Sequence, residues 1–218
     1  LAKKANLVAN GFGDSVARQL PALFAAEELF ATEGGQPLPR DAWFPEIQVM
    51  TARSAAGSAK GLFVAAKGGT NAESHNHNDV GTFTVFADGK PLLIDTGVEP
   101  YTAKNSSPER YDIWTMNSNH HNLPQINGQC QQPGFERAAK AVTYSATDDQ
   151  VLFGVDIADA YPKEAGVIAW NRTIRLNRRK DVEIEDACSF EKAGGEVVLH
   201  LMTACDVKIG DGTLTLSE

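Results

Sequence analysis

The chain has 218 residues, with 20 Lys and Arg against 28 Asp and Glu for a net charge of −8; 42% of its residues are apolar and 22% charged. That length suffices for a full core in one large domain, or one domain and part of another, and the composition is that of an ordinary globular protein. The acidic balance argues against nucleic acid as a partner, and no run reaches the roughly 18–20 apolar residues of a membrane span.

The opening "LAKKANLVANGFGD" lacks the charged start and long apolar run of a signal peptide. With no initial Met, the chain reads as a piece of a longer protein. Residues 14–32 place Val16, Leu20, Leu23, Phe24, Leu29 and Phe30 at helical spacing, with Pro21 kinking the helix or starting a second one and "EGGQPLP" ending it. After Pro39 the texture changes. "WFPEIQVMTA", "KGLFVAAKG", "GTFTVFA", "PLLIDTG", "AVTYSAT", "QVLFGVDIA", "VIAWNRTIRL", "DVEIEDACSF" and "EVVLHLMTA" are short, β-branched or aromatic, and set off by turn residues. Asp88-Gly89 in "FADGKP" fits the type I′ turn of a two-residue hairpin. The expectation is a mainly β protein: a large antiparallel β-sandwich over residues 39–218, preceded by a short helical segment over residues 1–38.

Three cysteines, Cys130, Cys188 and Cys205, match no metal spacing. One Cys188–Cys205 disulfide with a free thiol, or three reduced thiols, both fit that number. Four of the five histidines, His75, His77, His120 and His121, lie between positions 75 and 121. The fifth, His200 in "EVVLHLMTA", reads as a strand histidine with a structural hydrogen bond.

His77, Asp95 and one of His120 or His121 would supply two imidazoles and a carboxylate, a common zinc set. Asp95 ends an apolar strand, "KPLLID", where a charge must be paired, coordinated or at an edge; it could equally cap the turn "DTGVEP". The hairpin register places a condition on this site. With Ala87 opposite Lys90, Asp95 comes opposite Thr82, leaving His77 about five residues and roughly 17 Å beyond it in an extended chain. The chain must therefore fold back between Asn78 and Gly81, where Gly81 supplies a permissive hinge. Otherwise Asp79 is the alternative carboxylate.

For proton transfer, His75 in an extended segment would share a side with His77, roughly 7 Å away, leaving its imidazole free to face a cleft. Tyr101 and Tyr111 could donate or accept a proton. Asn76 and Arg110 are candidate substrate contacts, Arg110 as a forked donor to an acidic group. Tyr101 could equally only pack a turn, and Arg110 could only pair with Glu109 or Asp112.

The stretch "SHNHNDVGTFTVFADGKPLLIDTGVEPYT", followed by "RYDIWTMNSNHHNLPQINGQ", resembles the β-sandwich part of the heparinase II/III-like polysaccharide lyases. The resemblance rests on the His-x-His-x-Asp start, the hairpin, the tyrosine after it and the later His-Asn. It implies an upstream α/α toroid, of which the leading helical segment would be the end, with substrate between toroid and sandwich. His77, Asp95 and His121 fall on the family's zinc ligands, His121 rather than His120 because it precedes Asn122; the zinc would be mainly structural. His75 falls on an active-site histidine, with Tyr101 following the acidic ligand and Tyr111 as a further candidate. The implied reaction is β-elimination on an anionic, uronic-acid-containing polysaccharide, glycosaminoglycan or alginate in type. The toroid supplies further catalytic groups, so the fragment alone is expected to be inactive, and a periplasmic or secreted location is implied. Two alternatives stand beside this: a cupin-like metal enzyme, though no Glu follows the second histidine, and a non-catalytic carbohydrate-binding sandwich.

Overall fold

The computed structural model describes residues 16–33 and 38–217. Two compact units divide the chain, Leu1–Pro37 and Leu38–Glu218. In the first, helix α1 (Val16–Phe24) is followed by α2 (Ala26–Ala31). The break falls at Ala25, not at Pro21 as the sequence suggests. Pro21 lies inside α1, and its carbonyl accepts the N–H of Ala25 at 3.0 Å. Leu23 and Phe24 are exposed. Residues 14–15, the expected helix start, and residues 34–37 of its expected end lie outside the described residues.

In the second unit, β1 (Asp41–Phe44), β2 (Val49–Arg53), β3 (Leu62–Lys67), β4 (Thr70–Asn71), β5 (Phe83–Ala87) and β6 (Lys90–Leu93) come first. After a run of 3-10 turns follow β7 (Pro124–Ile126), β8 (Gly134–Ala138), β9 (Lys140–Ala146), β10 (Gln150–Asp156), β11 (Val167–Asn177) and β12 (Asp181–Phe190). The chain closes with β13 (Val197–Leu199), β14 (Asp206–Ile209) and β15 (Leu214–Ser217). One sheet has the order β1-β2-β3-β5-β6 and the other β12-β11-β10-β9. All strand pairs among the described residues are antiparallel. The mainly β sandwich expected from the strand texture is the fold observed.

Period-two alternation explains the core. Met50 and Ala52 of β2, Val64 and Ala66 of β3, and Phe83 and Val85 of β5 are buried from one sheet. Val151, Phe153 and Val155 of β10, and Trp170, Ile174 and Leu176 of β11, are buried from the other. All belong to one cluster. Trp43 stacks on Tyr144 with ring centroids 5.0 Å apart.

The β5–β6 hairpin turns as its residues require: Asp88 and Gly89 both have positive φ, +52° and +80°, and Ala87 faces Lys90. The register then shifts so that Leu93 faces Val85, a bulge of the kind that re-aims the end of a strand. Strand β6 stops at Leu93, so Asp95 sits beyond the ladder and is free to turn away. "EVVLHLMTA" contributes only β13, which ends one residue before His200. Cys130, Cys188 and Cys205 are all free thiols, so the Cys188–Cys205 disulfide does not form.

Candidate functional site

The segment of residues 71–82 is a turn anchored at both ends rather than an extended strand. Lys67 at the end of β3 pairs with Asp79 at 2.8 Å and with Glu73 at 3.2 Å. Burial works to lower the Lys67 ammonium, but these two carboxylates outweigh it and hold the group above its ordinary value. Asp79 is thereby committed to Lys67, which removes it as the metal carboxylate. The fold-back demanded by the hairpin register takes place at Gly81. Its φ is +85°, a Cβ there would lie 2.5 Å from Ile157 Cγ2, and the N–H of Thr82 donates to the carbonyl of Asp79 at 3.0 Å.

The turn separates the two histidines. His75 has φ +58°, so the extended geometry expected for this stretch is not adopted. His75 is exposed, and its Nδ1 lies 3.1 Å from the hydroxyl of Tyr101, itself exposed. His77 points instead to His121, with ring centroids 5.3 Å apart.

His121 is wholly buried, and its two nitrogens have different surroundings. Nε2 lies 3.1 Å from the carbonyl of Thr115, and Nδ1 lies 2.8 Å from Asp95 Oδ2. A carbonyl can only accept, so Nε2 carries the proton and Nδ1 faces the carboxylate. His77, Asp95 and His121 each offer one ligand atom, all within 4.8 Å of one another. Two imidazoles and one carboxylate suit a divalent cation, and the Thr115 carbonyl fixes the tautomer, as outer-shell partners of metal-bound histidines do. These residues could hold a metal. Burial is the main cause that lowers the pKa of His77, favouring its neutral, ligating form. At Asp95 burial pushes upward, but His121, the Gly97 N–H and His77 outweigh it, and the carboxyl lies below its ordinary range.

The remaining predicted residues surround this cluster. Arg110 donates through Nη2 to the carbonyl of Asn76 at 3.0 Å and through Nη1 to that of Asn105 at 2.8 Å. It pairs with neither Glu109 nor Asp112; Asp112 lies 3.7 Å from Lys104 instead. The Tyr111 hydroxyl donates to Asn76 Oδ1 at 3.0 Å. His120 stands edge-on to Trp114, centroids 5.3 Å apart, and is outside the His77–Asp95–His121 group. His200 lies just past β13 rather than within a strand; its N–H donates to the Leu123 carbonyl at 3.0 Å, a structural hydrogen bond as expected, and its Nε2 is buried without a hydrogen-bond partner.

A profile of the family described as "Heparinase II/III-like, C-terminal" matches residues 36–217. The chain belongs to the heparinase II/III-like family. Membership sets aside the cupin-like alternative. Solved structures of similar fold include the heparan sulfate lyase HepC from Pedobacter heparinus, at 18% identity and TM-score 0.60, covering 88% of this chain and 28% of that one. A heparinase III aligns at 20% identity and TM-score 0.65, over 95% of this chain and 31% of its own. Another heparinase III aligns at 17% identity and TM-score 0.61, over 94% and 32% respectively. At these identities the likeness is one of fold, and the chain spans under a third of each relative's length. Comparison with the curated proteins gives no match.

In this heparinase II/III-like sandwich, two residues that sequence reasoning passed over hold the site together. Arg172 is wholly buried and donates through Nη1 to the carbonyls of Gly81 at 3.0 Å and Asn122 at 2.7 Å, joining the hinge of the His77 turn to the neighbour of His121. Its position in "WNRTIRL" carried a signal: in a strand it shares a face with Trp170 and Ile174, an apolar register where an arginine must be paired. Gln131, also buried, accepts from Asn71 Nδ2 and the Val80 N–H and donates to the Val80 carbonyl. No local pattern marks Gln131.

Proposed function

We propose that this chain is the β-sandwich part of a polysaccharide lyase that cleaves a uronic-acid-containing polysaccharide by β-elimination. The observation that carries the reading is the exposed His75–Tyr101 pair, at 3.1 Å, set two residues from His77 of the candidate metal cluster. In β-elimination the sugar carboxylate is neutralised, the C5–H and C4–O4 bonds break, a C4=C5 double bond forms, and the leaving O4 takes a proton. His75 takes part in carboxylate neutralisation or removes the C5 proton, and Tyr101 assists proton transfer. The named activities of the structural relatives, a heparan sulfate lyase and heparinases III, favour a glycosaminoglycan over an alginate-type polymer.

We assign His77, Asp95 and His121 to a zinc ion, which when bound would brace the turn rather than act on the sugar. The segment of residues 1–38, with its helices Val16–Phe24 and Ala26–Ala31, we read as the end of an upstream α/α toroid; exposed Leu23 and Phe24 support this, since an amphipathic helix buries its apolar face against a partner. Residues 39–218 form the sandwich. A periplasmic or secreted location goes with a polymer substrate too large to be taken up intact.

The test is a screen of uronate polymers, heparan sulfate and alginate among them, with the full-length protein, following ultraviolet absorbance of the unsaturated product. Cleavage is expected, and His75→Ala should abolish it. A His75→Ala variant at full rate, or no ultraviolet-absorbing product from any uronate polymer, would show the reading to be wrong.

A further inference from the structure

We infer that Arg110, with Tyr111 and Asn76, is a positioning device that sets the His75–Tyr101 pair, rather than a set of substrate contacts. The inference rests on the reading above that His75 and Tyr101 handle the proton. Three observations support it.

The first is the use made of the guanidinium. Each Nη of Arg110 donates to a backbone carbonyl, one on each side of the pair. The Asn76 carbonyl belongs to the residue after His75. The Asn105 carbonyl belongs to the turn after Tyr101, where Asn105 Oδ1 accepts the N–H of Thr102 at 2.7 Å and Asn105 is buried. One rigid fork therefore spans the two segments that carry the pair, a task for which the planar guanidinium is pre-organised and an ammonium is not.

The second is that Asn76 is occupied within the fold. Its Nδ2 donates to the His77 carbonyl at 3.1 Å, its Oδ1 accepts from the Tyr111 hydroxyl at 3.0 Å, and its N–H donates to the Glu73 carbonyl at 3.2 Å. With the carbonyl taken by Arg110, each polar group of Asn76 has a partner inside the fold. The third is the backbone of His75, whose φ of +58° is uncommon for a residue with a side chain. Such a conformation persists where its surroundings over-determine it, and Arg110 and Tyr111 supply that constraint from the 3-10 turn Pro108–Asp112.

The experiment uses full-length protein with heparan sulfate and alginate as probes, and compares Arg110→Ala, Arg110→Lys, Tyr111→Phe and His75→Ala. Displacement of a reacting group by about 1 Å can cost about 10²-fold. Arg110→Ala should therefore lower kcat about 100-fold with KM within about twofold, and added guanidinium ion should restore part of the rate. Arg110→Lys, which keeps the charge but not the fork, should also lose kcat, and it serves if the alanine variant does not fold. Tyr111→Phe should lose kcat less, and not KM. Hydrogen exchange of residues 74–77 should quicken in Arg110→Ala, a readout that needs no substrate. A tenfold or greater rise in KM with kcat retained, while His75→Ala is inactive, would overturn the inference and leave the lyase reading standing. Unchanged exchange in the turn would also overturn it, and His75→Ala at full rate would overturn both.

Discussion

Arg172 and Asp186 form a bidentate ion pair across β11 and β12, with Nε–Oδ1 at 2.8 Å and Nη2–Oδ2 at 2.7 Å. The arginine side chain is fully buried and the aspartate 18% exposed, so the pair stands largely out of water. Removing one member of such a pair costs about 3–5 kcal/mol, because the other charge is left uncompensated. Arg172→Met should therefore destabilise the protein by about that much in urea denaturation. The double variant Arg172→Met with Asp186→Leu should recover part of the loss, and equal instability of the two would argue that the carbonyls of Gly81 and Asn122, not the ion pair, set the cost.

Arg172 also marks where sequence reading reaches and where it stops. The Asp88-Gly89 turn is readable because φ > 0 at two successive residues leaves few chemical choices. The grouping of His77 and Asp95 with one of His120 or His121 is legible from the residues; the choice of His121 comes from the family resemblance, and the hairpin register adds the need for a fold-back. The geometry of His75 is not legible in the sequence: an extended stretch is expected, but the chain bends away at φ +58°. The carbonyl partners of Arg110 lie up to 34 positions away and leave no mark in a local pattern. The bulge before Leu93 depends on strand pairing that local propensity does not encode.

Gly81 should tolerate no side chain. Its φ of +85° disfavours any L-residue, and the added Cβ would meet Ile157 Cγ2 at 2.5 Å on the core side of the turn. Gly81→Ala should cost more than about 1 kcal/mol. Because this turn brings His77 to Asp95, metal affinity should fall as well. Paired thermal melts with and without added zinc would show both losses; a variant that melts and binds as the parent does would remove Gly81 as the hinge.

Zinc should bind with a stoichiometry of about one, and His77→Ala or His121→Ala should abolish it. A ligand at about 100 times its Kd stabilises the folded state by about 2.7 kcal/mol, so chelation should lower the melting temperature of the parent and not of either variant. The pH dependence has a definite sign. The pKa of His77 is lowered mainly by burial, so its contribution to stability is present above the ordinary histidine value of 6.5 and is lost as pH falls through the folded value. Zinc retention should weaken in the same direction, since ligation requires the deprotonated ring. Metal content measured from neutral to acid pH checks this, and zinc held equally well by His121→Ala would place the ion elsewhere.

Tyr161 gives the alkaline counterpart. Its hydroxyl donates to the carbonyl of Pro124 at 2.6 Å, three residues after His121, and burial raises its pKa well above the ordinary value of 10. A raised folded pKa means the neutral phenol contributes stability that is complete below pH 10 and is lost as pH rises toward the folded value. Of the four tyrosines, Tyr144 is also raised, by burial and by Asp41, but it is far less enclosed. Spectrophotometric titration should therefore show a last ionisation that coincides with alkaline unfolding, and Tyr161→Phe should remove it. The same variant leaves the Pro124 carbonyl without its buried donor, at a cost of about 1–3 kcal/mol. Because β7 begins at Pro124, that loss should loosen the strand next to His121 and make zinc leave at a lower chelator concentration. A titration curve unchanged by Tyr161→Phe would assign the late ionisation to Tyr144 and detach β7 from the alkaline limit of stability.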